Sequence, residues 1–205
     1  MSRPSLKVVV AVTSPIAFNL INSHSVLQAC IQKTMGFVDS YGSTAQLVVA
    51  GTAQDLQAVD GLPTLICDPH SPQSFAQAIS QLAVTDLVMI HDSQRALTSS
   101  AQFDRVVQGL TEQIDAVRPV SAFTETLKSV SADGFIQATI DRSSMARLST
   151  PELIRFCAID FQATTSNWFL PLKTDARTAT VDADADSARI NSINEIALMR
   201  VLQGL

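Results

Sequence analysis

Residues 87–95 read LVMIHDSQR, and the fold turns on how that stretch is interpreted. The apolar run Leu87 to Ile90, with Val84 nearby, begins just after Asp86 and stops abruptly at His91-Asp92. A short run rich in Val and Ile, bounded by polar residues, has the signature of a buried parallel strand. In open α/β sheets, ligands sit just beyond the carboxyl ends of such strands. Asp92 and Arg95 stand three residues apart at that edge, one an oxygen ligand and the other a guanidinium, and the pair suits a metal-bridged phosphate. A strand that simply ends in polar turn residues is the alternative. His91 reads as a hydrogen-bonded residue at the strand end rather than a general base.

Working outward, Lys7–Val12 (KVVVAV), Gln46–Ala50 and Thr64–Cys67 read as further buried strands. Helical spacing of Val26, Leu27, Cys30, Ile31, Met35 and Val38 predicts a helix from Ser23 to Val38, capped by Asn22 or Ser23. A short helix over Thr52–Val59, a Pro72-initiated helix and a helix over Ala101–Asp115 complete a β-α rhythm. That rhythm implies a mostly parallel sheet covered on both faces, an α/β class fold.

Past residue 116 the rhythm changes. Val117–Ser121, Thr124–Val130 and Phe135–Ile140 read as consecutive strands, the last two joined by a turn at Asp133-Gly134. They predict a small antiparallel excursion. Ser149-Thr150-Pro151-Glu152 reads as the start of a helix. Residues 164–176 carry no clear pattern beyond the Trp168-Phe169-Leu170 cluster. Arg177–Asp182 reads as a strand and Asn191–Gln203 as a terminal helix with a Ser192-x-x-Glu195 capping box. Asp182, Asp184 and Asp186 alternate, either as a cation-holding strand face or as a solvated edge. The expectation is a single domain over residues 1–205.

Composition narrows the function. The net charge is −5, with 46% hydrophobic and 16% charged residues, which speaks for a well-buried core and against a nucleic-acid surface. Cys30, Cys67 and Cys157 sit singly among apolar neighbours and read as buried thiols of a reducing compartment. The three histidines show no metal-ligand spacing. The apolar run at Val8–Val12 is too short for a signal peptide, and nothing approaches a membrane span. A cytoplasmic protein with no membrane partner is expected.

Taken together, HDSQR at 91–95, P-V…T-L-K at 119–128, T-I-D-R at 139–142, S-T-P-E at 149–152 and ADSARINSINEIAL at 185–198 resemble the methylerythritol phosphate cytidylyltransferase family. The resemblance covers roughly residues 84–202. It implies a Rossmann-like nucleotidyltransferase fold with a dimerisation arm at about 122–145. It also implies transfer of CMP from CTP to methylerythritol phosphate, with Mg²⁺ assisting and pyrophosphate released. Carried over by position, Asp92 approaches the metal and the nucleotide, and Arg95 supports that loop. Arg142, with Thr139 in the same segment, contacts substrate phosphate across a homodimer. Arg189 stands where the family has a lysine that stabilises the reacting phosphate. Ser74 lies on the nucleotide side, in the segment DPHSPQS where the family has an arginine.

The chain also departs from the family. Its first strand runs into Val12-Thr13-Ser14-Pro15-Ile16-Ala17-Phe18-Asn19, without the glycine-rich loop and cations that wrap a triphosphate. The acidic T-D-E before the last strand has no match in ATTSNWFLPLKTD. Two functions stay open: an enzyme acting on CTP or another phosphorylated small molecule, and a catalytically silent paralogue that binds or regulates.

Overall fold

The computed structural model describes residues 3–202. In chain order the elements are β1 (Leu6–Ala11), β2 (Leu20–Ile21), β3 (His24–Ser25), α1 (Val26–Tyr41), β4 (Ala45–Gly51), β5 (Thr64–Ile66), α2 (Pro72–Ser80) and β6 (Leu87–Asp92). There follow α3 (Ser100–Gly109), β7 (Ala116–Ala122), β8 (Leu127–Val130), β9 (Ile136–Ile140), β10 (Ala146–Leu148), β11 (Glu152–Arg155), β12 (Thr178–Asp182) and α4 (Ile193–Leu202). The central sheet runs β10-β7-β11-β6-β1-β4-β5, with β12 paired in parallel to β7. Strands β6, β1, β4 and β5 are parallel, as the opening run implied.

The apolar runs on these strands have a direct cause. Leu6, Val8 and Val10 point into one apolar cluster with α1 and α3, while Val9 and Ala11 point into another with α2. A strand buried on both faces needs no polar alternation, so KVVVAV and LVMI read as continuous hydrophobic runs.

Several boundaries differ from the sequence reading. Helix α1 starts later, because Ser25 supplies the cap: its Oγ accepts from Gln28 N at 3.1 Å, and the Gln28 side chain accepts from Ser25 N at 2.8 Å. The helix expected over Thr52–Val59 is a single 3₁₀ turn, Asp55–Ala58. Helix α3 ends at Gly109 rather than near Asp115, where it lies hard against the sheet. A Cβ on Gly109 would stand 2.9 Å from Val181 Cγ1 and 3.1 Å from Val117 Cγ1. In α4, Ser192 Oγ accepts from Glu195 N, but the Glu195 carboxylate reaches back to Asn191 N, one residue earlier than a capping box requires.

The largest correction concerns residues 149–155. They form no helix; Glu152–Arg155 is a strand inserted antiparallel between β6 and β7. Leu153 joins one apolar cluster and Ile154 the other, so the gap in the sheet takes a residue facing each way. Burial on both faces overrides the Ser-x-Pro-Glu helix-start signal. The antiparallel excursion does form, as a separate two-stranded sheet of β8 and β9 turning at Gly134 with φ +85°. It exposes Val130, Phe135 and Ile136.

Candidate functional site

The sheet delivers the candidate site by register. Ala11 pairs with Asp92, so the carboxyl ends of β1 and β6 open at the same level, and Ser93 N donates to Ala11 O at 3.0 Å. Asp92 is buried, 4% exposed. Its Oδ1 accepts from Thr13 Oγ1 at 2.8 Å and from Gln94 N at 3.1 Å. Its Oδ2 accepts from Arg189 Nε at 2.6 Å. Arg189 also donates to Thr13 Oγ1 at 3.1 Å, and to the side chains of Gln94 and Asn191. Asp92 and Arg189 are therefore brought together, and each satisfies the other.

Arg95 is directed elsewhere. It donates to Leu148 O at 2.9 Å and to Ser187 O, tying the ends of β10 and the segment before α4 to β6. Burial lowers its pKa, with Asp92 opposing that and Arg189 and Arg147 adding to it. Its Nε has no partner among the described residues.

His91 is buried at the strand end. Thr150 Oγ1 accepts from Asp92 N at 3.1 Å and is hydrogen-bonded to His91 Nδ1 at 2.9 Å. Burial is the main reason the imidazole pKa falls to about 4, with Arg95 adding to it and Asp92 opposing it. The ring is neutral near pH 7 and packs edge-on against Phe103, 5.0 Å between centroids. It is fixed at the strand end by the Thr150 contact and the Phe103 ring.

The end of β1 is closed by its own hydrogen bonds. Ser14 Oγ accepts from Ile16 N at 3.3 Å, capping the 3₁₀ turn Pro15–Phe18. Ala17 N and Asn19 N donate to Ser14 O and Ile16 O. Pro15 has no N–H to offer. His70 Nε2 donates to Thr13 O at 2.7 Å, so the loop after β5 seals the carbonyl side. A phosphate cradle is built from N–H groups that point outward and lack protein partners. Here Ile16, Ala17 and Asn19 have already used theirs.

Beyond Asp92 lies a cavity of about 400 Å³, whose lining includes His70, Thr150, Glu152, Trp168 and Arg189. Sequence reasoning missed the buried pair to which one lining residue, Glu152, belongs. Arg118 on β7 and Glu152 on β11 are both buried and meet at 3.0 Å. Glu152 Oε2 accepts from Phe169 N, Arg118 donates to Asn167 O, each at 2.9 Å, and the guanidinium lies 3.5 Å from the Trp168 ring centroid. Desolvation pushes the Glu152 carboxyl up to about 7, against the pull of Arg118 and the Phe169 amide. The illegible stretch around 167–169 is thus strapped to the sheet by a buried ion pair. An arginine inside the apolar strand AVRPV was the signal for it, since such a residue is rarely buried without a partner.

The remaining candidates lie elsewhere. Ser74 sits in the first turn of α2, where its N donates to Ser71 Oγ and its Oγ accepts from Asp68 N; it does not line the cavity. Thr139 and Arg142 are on the arm, bonded to Lys128 and to the Thr124 carbonyl, and are likewise outside the cavity of their own chain. Strand β12 stops at Asp182, so the three aspartates share no strand face, and Asp184 is paired with Arg105 and Ser99.

A divalent cation finds a poor donor set. Mg²⁺ can be held by one carboxylate plus substrate phosphates. Asp92 is that carboxylate, but Arg189 occupies one oxygen while Thr13 and Gln94 share the other. No group of three His, Cys, Asp or Glu suited to a metal occurs among the described residues.

With this geometry in hand, comparisons with known proteins converge. A family model described as 2-C-methyl-D-erythritol 4-phosphate cytidylyltransferase matches residues 18–185, beginning at the last residue of the turn that closes β1. The bifunctional enzyme IspD/IspF of Rhodospirillum rubrum is 35% identical over 121 residues, which are 59% of this chain and 29% of that protein. The 2-C-methyl-D-erythritol 4-phosphate cytidylyltransferase of Saccharopolyspora erythraea is 29% identical over 150 residues, 67% of this chain and 65% of the relative. The matched stretch is thus under two thirds of either relative's length. The solved structure of the enzyme of that name from Thermus thermophilus superposes with a TM-score of 0.72 at 18% identity, covering 96% of this chain and 98% of that one. The 4-diphosphocytidyl-2C-methyl-D-erythritol synthase of Anaerococcus prevotii gives 0.74 at 14% identity, covering 98% and 99%. At such identities the likeness shows the nucleotidyltransferase fold.

Proposed function

The chain belongs to the 2-C-methyl-D-erythritol 4-phosphate cytidylyltransferase family, and on that premise we propose that it is a catalytically silent member, acting as a binding or regulatory protein. The observation that carries this reading is the end of β1. Nucleotidyl transfer depends on preorganised donors around the triphosphate, and removing one such donor typically costs about 3–4 kcal/mol of transition-state stabilisation. The segment Thr13–Asn19 holds no glycine or cation, and its amides at 16, 17 and 19 are bonded within their own turn. The Asp92–Arg189 pair fits the same reading, since Arg189 Nε takes Asp92 Oδ2 at 2.6 Å while Thr13 and Gln94 share Oδ1.

The protein on this reading is cytoplasmic and homodimeric. Three free cysteines, Cys30 and Cys67 buried but Cys157 exposed against expectation, favour a reducing compartment, and no described helix is long and apolar enough to cross a membrane. The apolar side chains exposed on and beside the arm, Val130, Phe135, Ile136, Met145 and Leu148, favour a second copy as their cover. A monomer in sedimentation at micromolar concentration would count against that assembly.

One observation favours the alternative of retained CMP transfer: a carboxylate and a guanidinium do stand together at the sheet edge. In that reading Arg189 leaves Asp92 for a phosphate of CTP, Asp92 turns to Mg²⁺, Arg95 keeps its supporting place, and the partner subunit's Arg142 and the partner subunit's Thr139 reach the second substrate. Calorimetric titration with CTP and Mg²⁺, beside a pyrophosphate-release assay with methylerythritol phosphate, separates the two. The silent reading expects no release above background and no CTP binding tighter than millimolar. Tight CTP binding that Asp92→Ala abolishes, or turnover, would overturn it.

A further inference from the structure

Six glycines lie among the described residues, and five have a reason inside the chain. Gly42, Gly61 and Gly134 have positive φ. A Cβ on Gly51 or Gly109 would meet neighbours at 3.2 Å or 2.9 Å. Gly36 has neither reason. It lies inside α1, where glycine is disfavoured, and a Cβ there would meet nothing within 4 Å. Nothing within the chain explains why this helix face is left bare.

Gly36 lies on a groove of about 750 Å³. Along α1, Leu27, Ile31 and Met35 recur at four-residue spacing and form one wall; Phe18, Val59 and Leu62 face them. Ile31, Met35, Phe18, Val59 and Leu62 are all only partly buried. The charged residues in the lining are Asp39 and Asp60, both exposed, and no lysine or arginine is among them. The groove therefore joins an apolar stripe to the uncharged polar side chains of Ser25, Gln28 and Gln32 and to two acidic residues, with bare backbone at Gly36.

We infer that this groove is the docking surface for a basic amphipathic helix of a partner protein. An amphipathic helix presents apolar anchors at i, i+3, i+4 and i+7, which suits a groove walled by a four-residue ridge. Lysines or arginines flanking that stripe meet Asp39 and Asp60. The bare backbone at Gly36 lets the two helix axes approach closely where they cross. The groove is lined by none of the residues of the Asp92 cavity, so it stands whether or not CTP is turned over.

The test uses the full chain and two synthetic helices that share a leucine stripe, one flanked by lysines and the other by glutamates. Fluorescence anisotropy with wild-type protein is expected to show binding of the lysine helix alone. Gly36→Leu, which fills the crossing point, and the double variant Asp39→Lys/Asp60→Lys should each weaken it about tenfold or more. Glu125→Lys/Asp133→Lys on the arm changes the net charge equally and should leave it unchanged. Gly36→Ala serves where the leucine variant folds poorly: it should raise the melting temperature of the free protein and still weaken the helix. Equal binding of both helices, no binding of either, or equal losses from arm and groove variants would overturn the proposal. A Gly36→Leu protein whose sedimentation shows a lost self-association would overturn it in favour of a second copy as the occupant.

Discussion

Strands β1 and β6 lie side by side in parallel register, Ala11 opposite Asp92, yet their carboxyl ends behave as opposites. At the end of β6 stand a carboxylate and, reaching over it, a guanidinium. Past the end of β1 the backbone curls into a capped 3₁₀ turn in which the amides of Ile16, Ala17 and Asn19 are bonded within the turn. In a site that holds a triphosphate the two ends work together, one supplying amides and the other charge. Here the charged end is closed on itself: Arg189 Nε donates to Asp92 Oδ2 at 2.6 Å, and on the silent reading the pair is a structural one. A residue pattern that looks like a site can be held in place by folding stability alone.

If that is so, the β6 end should fail structurally when it is broken. Asp92→Ala removes the acceptor for Thr13, for the Gln94 amide and for Arg189. Breaking a buried ion pair by deleting one partner typically costs about 3–5 kcal/mol. The partly exposed Arg189 screens part of this, so the expected loss lies near the lower end, a fall in melting temperature of about 6–12 °C. Differential scanning calorimetry decides it, with Asp92→Ala/Arg189→Ala expected to recover part of the loss. A neutral or stabilised Asp92→Ala would mean that the carboxylate is kept for a ligand, and the contrast between the two strand ends would collapse.

Two buried groups, His91 at the β6 end and Glu152 in the cavity lining, sharpen the comparison through pH. His91 is depressed to about 4, so the unfolded chain takes up a proton that the native imidazole refuses. Its contribution is fully present above about 6.5 and is lost as pH falls towards 4, on the order of 3 kcal/mol in all. Glu152 has the opposite sign. Its carboxyl is raised to about 7, so the native state holds a proton that the unfolded chain releases, and its contribution is present below about 4.5 and lost as pH rises towards 7. The wild-type stability profile between pH 4.5 and 7 is therefore flattened. Glu152→Gln leaves the histidine unopposed and should make stability climb with pH across that window in urea unfolding. A Glu152→Gln profile as flat as the wild type would show that the two groups do not oppose each other.

How much of this was legible depended on whether the controlling contacts were local. LVMIHD announced its strand because burial on both faces leaves an uninterrupted apolar run that stops at the sheet edge. The β8–β9 hairpin was equally readable from Asp133-Gly134. Glu152–Arg155 was misread because its preceding Ser-Thr-Pro mimics a helix start, while the slot between β6 and β7 that makes it a strand is a tertiary fact. Asp92 stood out at the strand end, but the guanidinium that pairs with it lies 97 residues away in sequence, and no local pattern says that Arg189 turns inward. The Arg118–Glu152 strap was hidden for the same reason.

Thr13 gives the finest test, since its hydroxyl is the one group that belongs to both strand ends. It accepts from Arg189 and donates to Asp92, while its carbonyl takes the His70 proton. Thr13→Val keeps the shape and the carbonyl contact and removes only the hydroxyl. Asp92 Oδ1 retains the Gln94 amide and Arg189 retains Asp92, so no charge is stranded. The expected loss is about 1–2 kcal/mol, close to the worth of one hydrogen bond to a charged group, and should appear as a shift of the urea midpoint at constant m. In the Asp92→Ala background the same change should cost less, since the hydroxyl has then lost the carboxylate and keeps only Gln94 Oε1 at 3.1 Å as acceptor and Arg189 as donor. An undiminished loss in that background would place the hydroxyl's role in the β1 turn rather than in the ion pair, and the two strand ends would be independent.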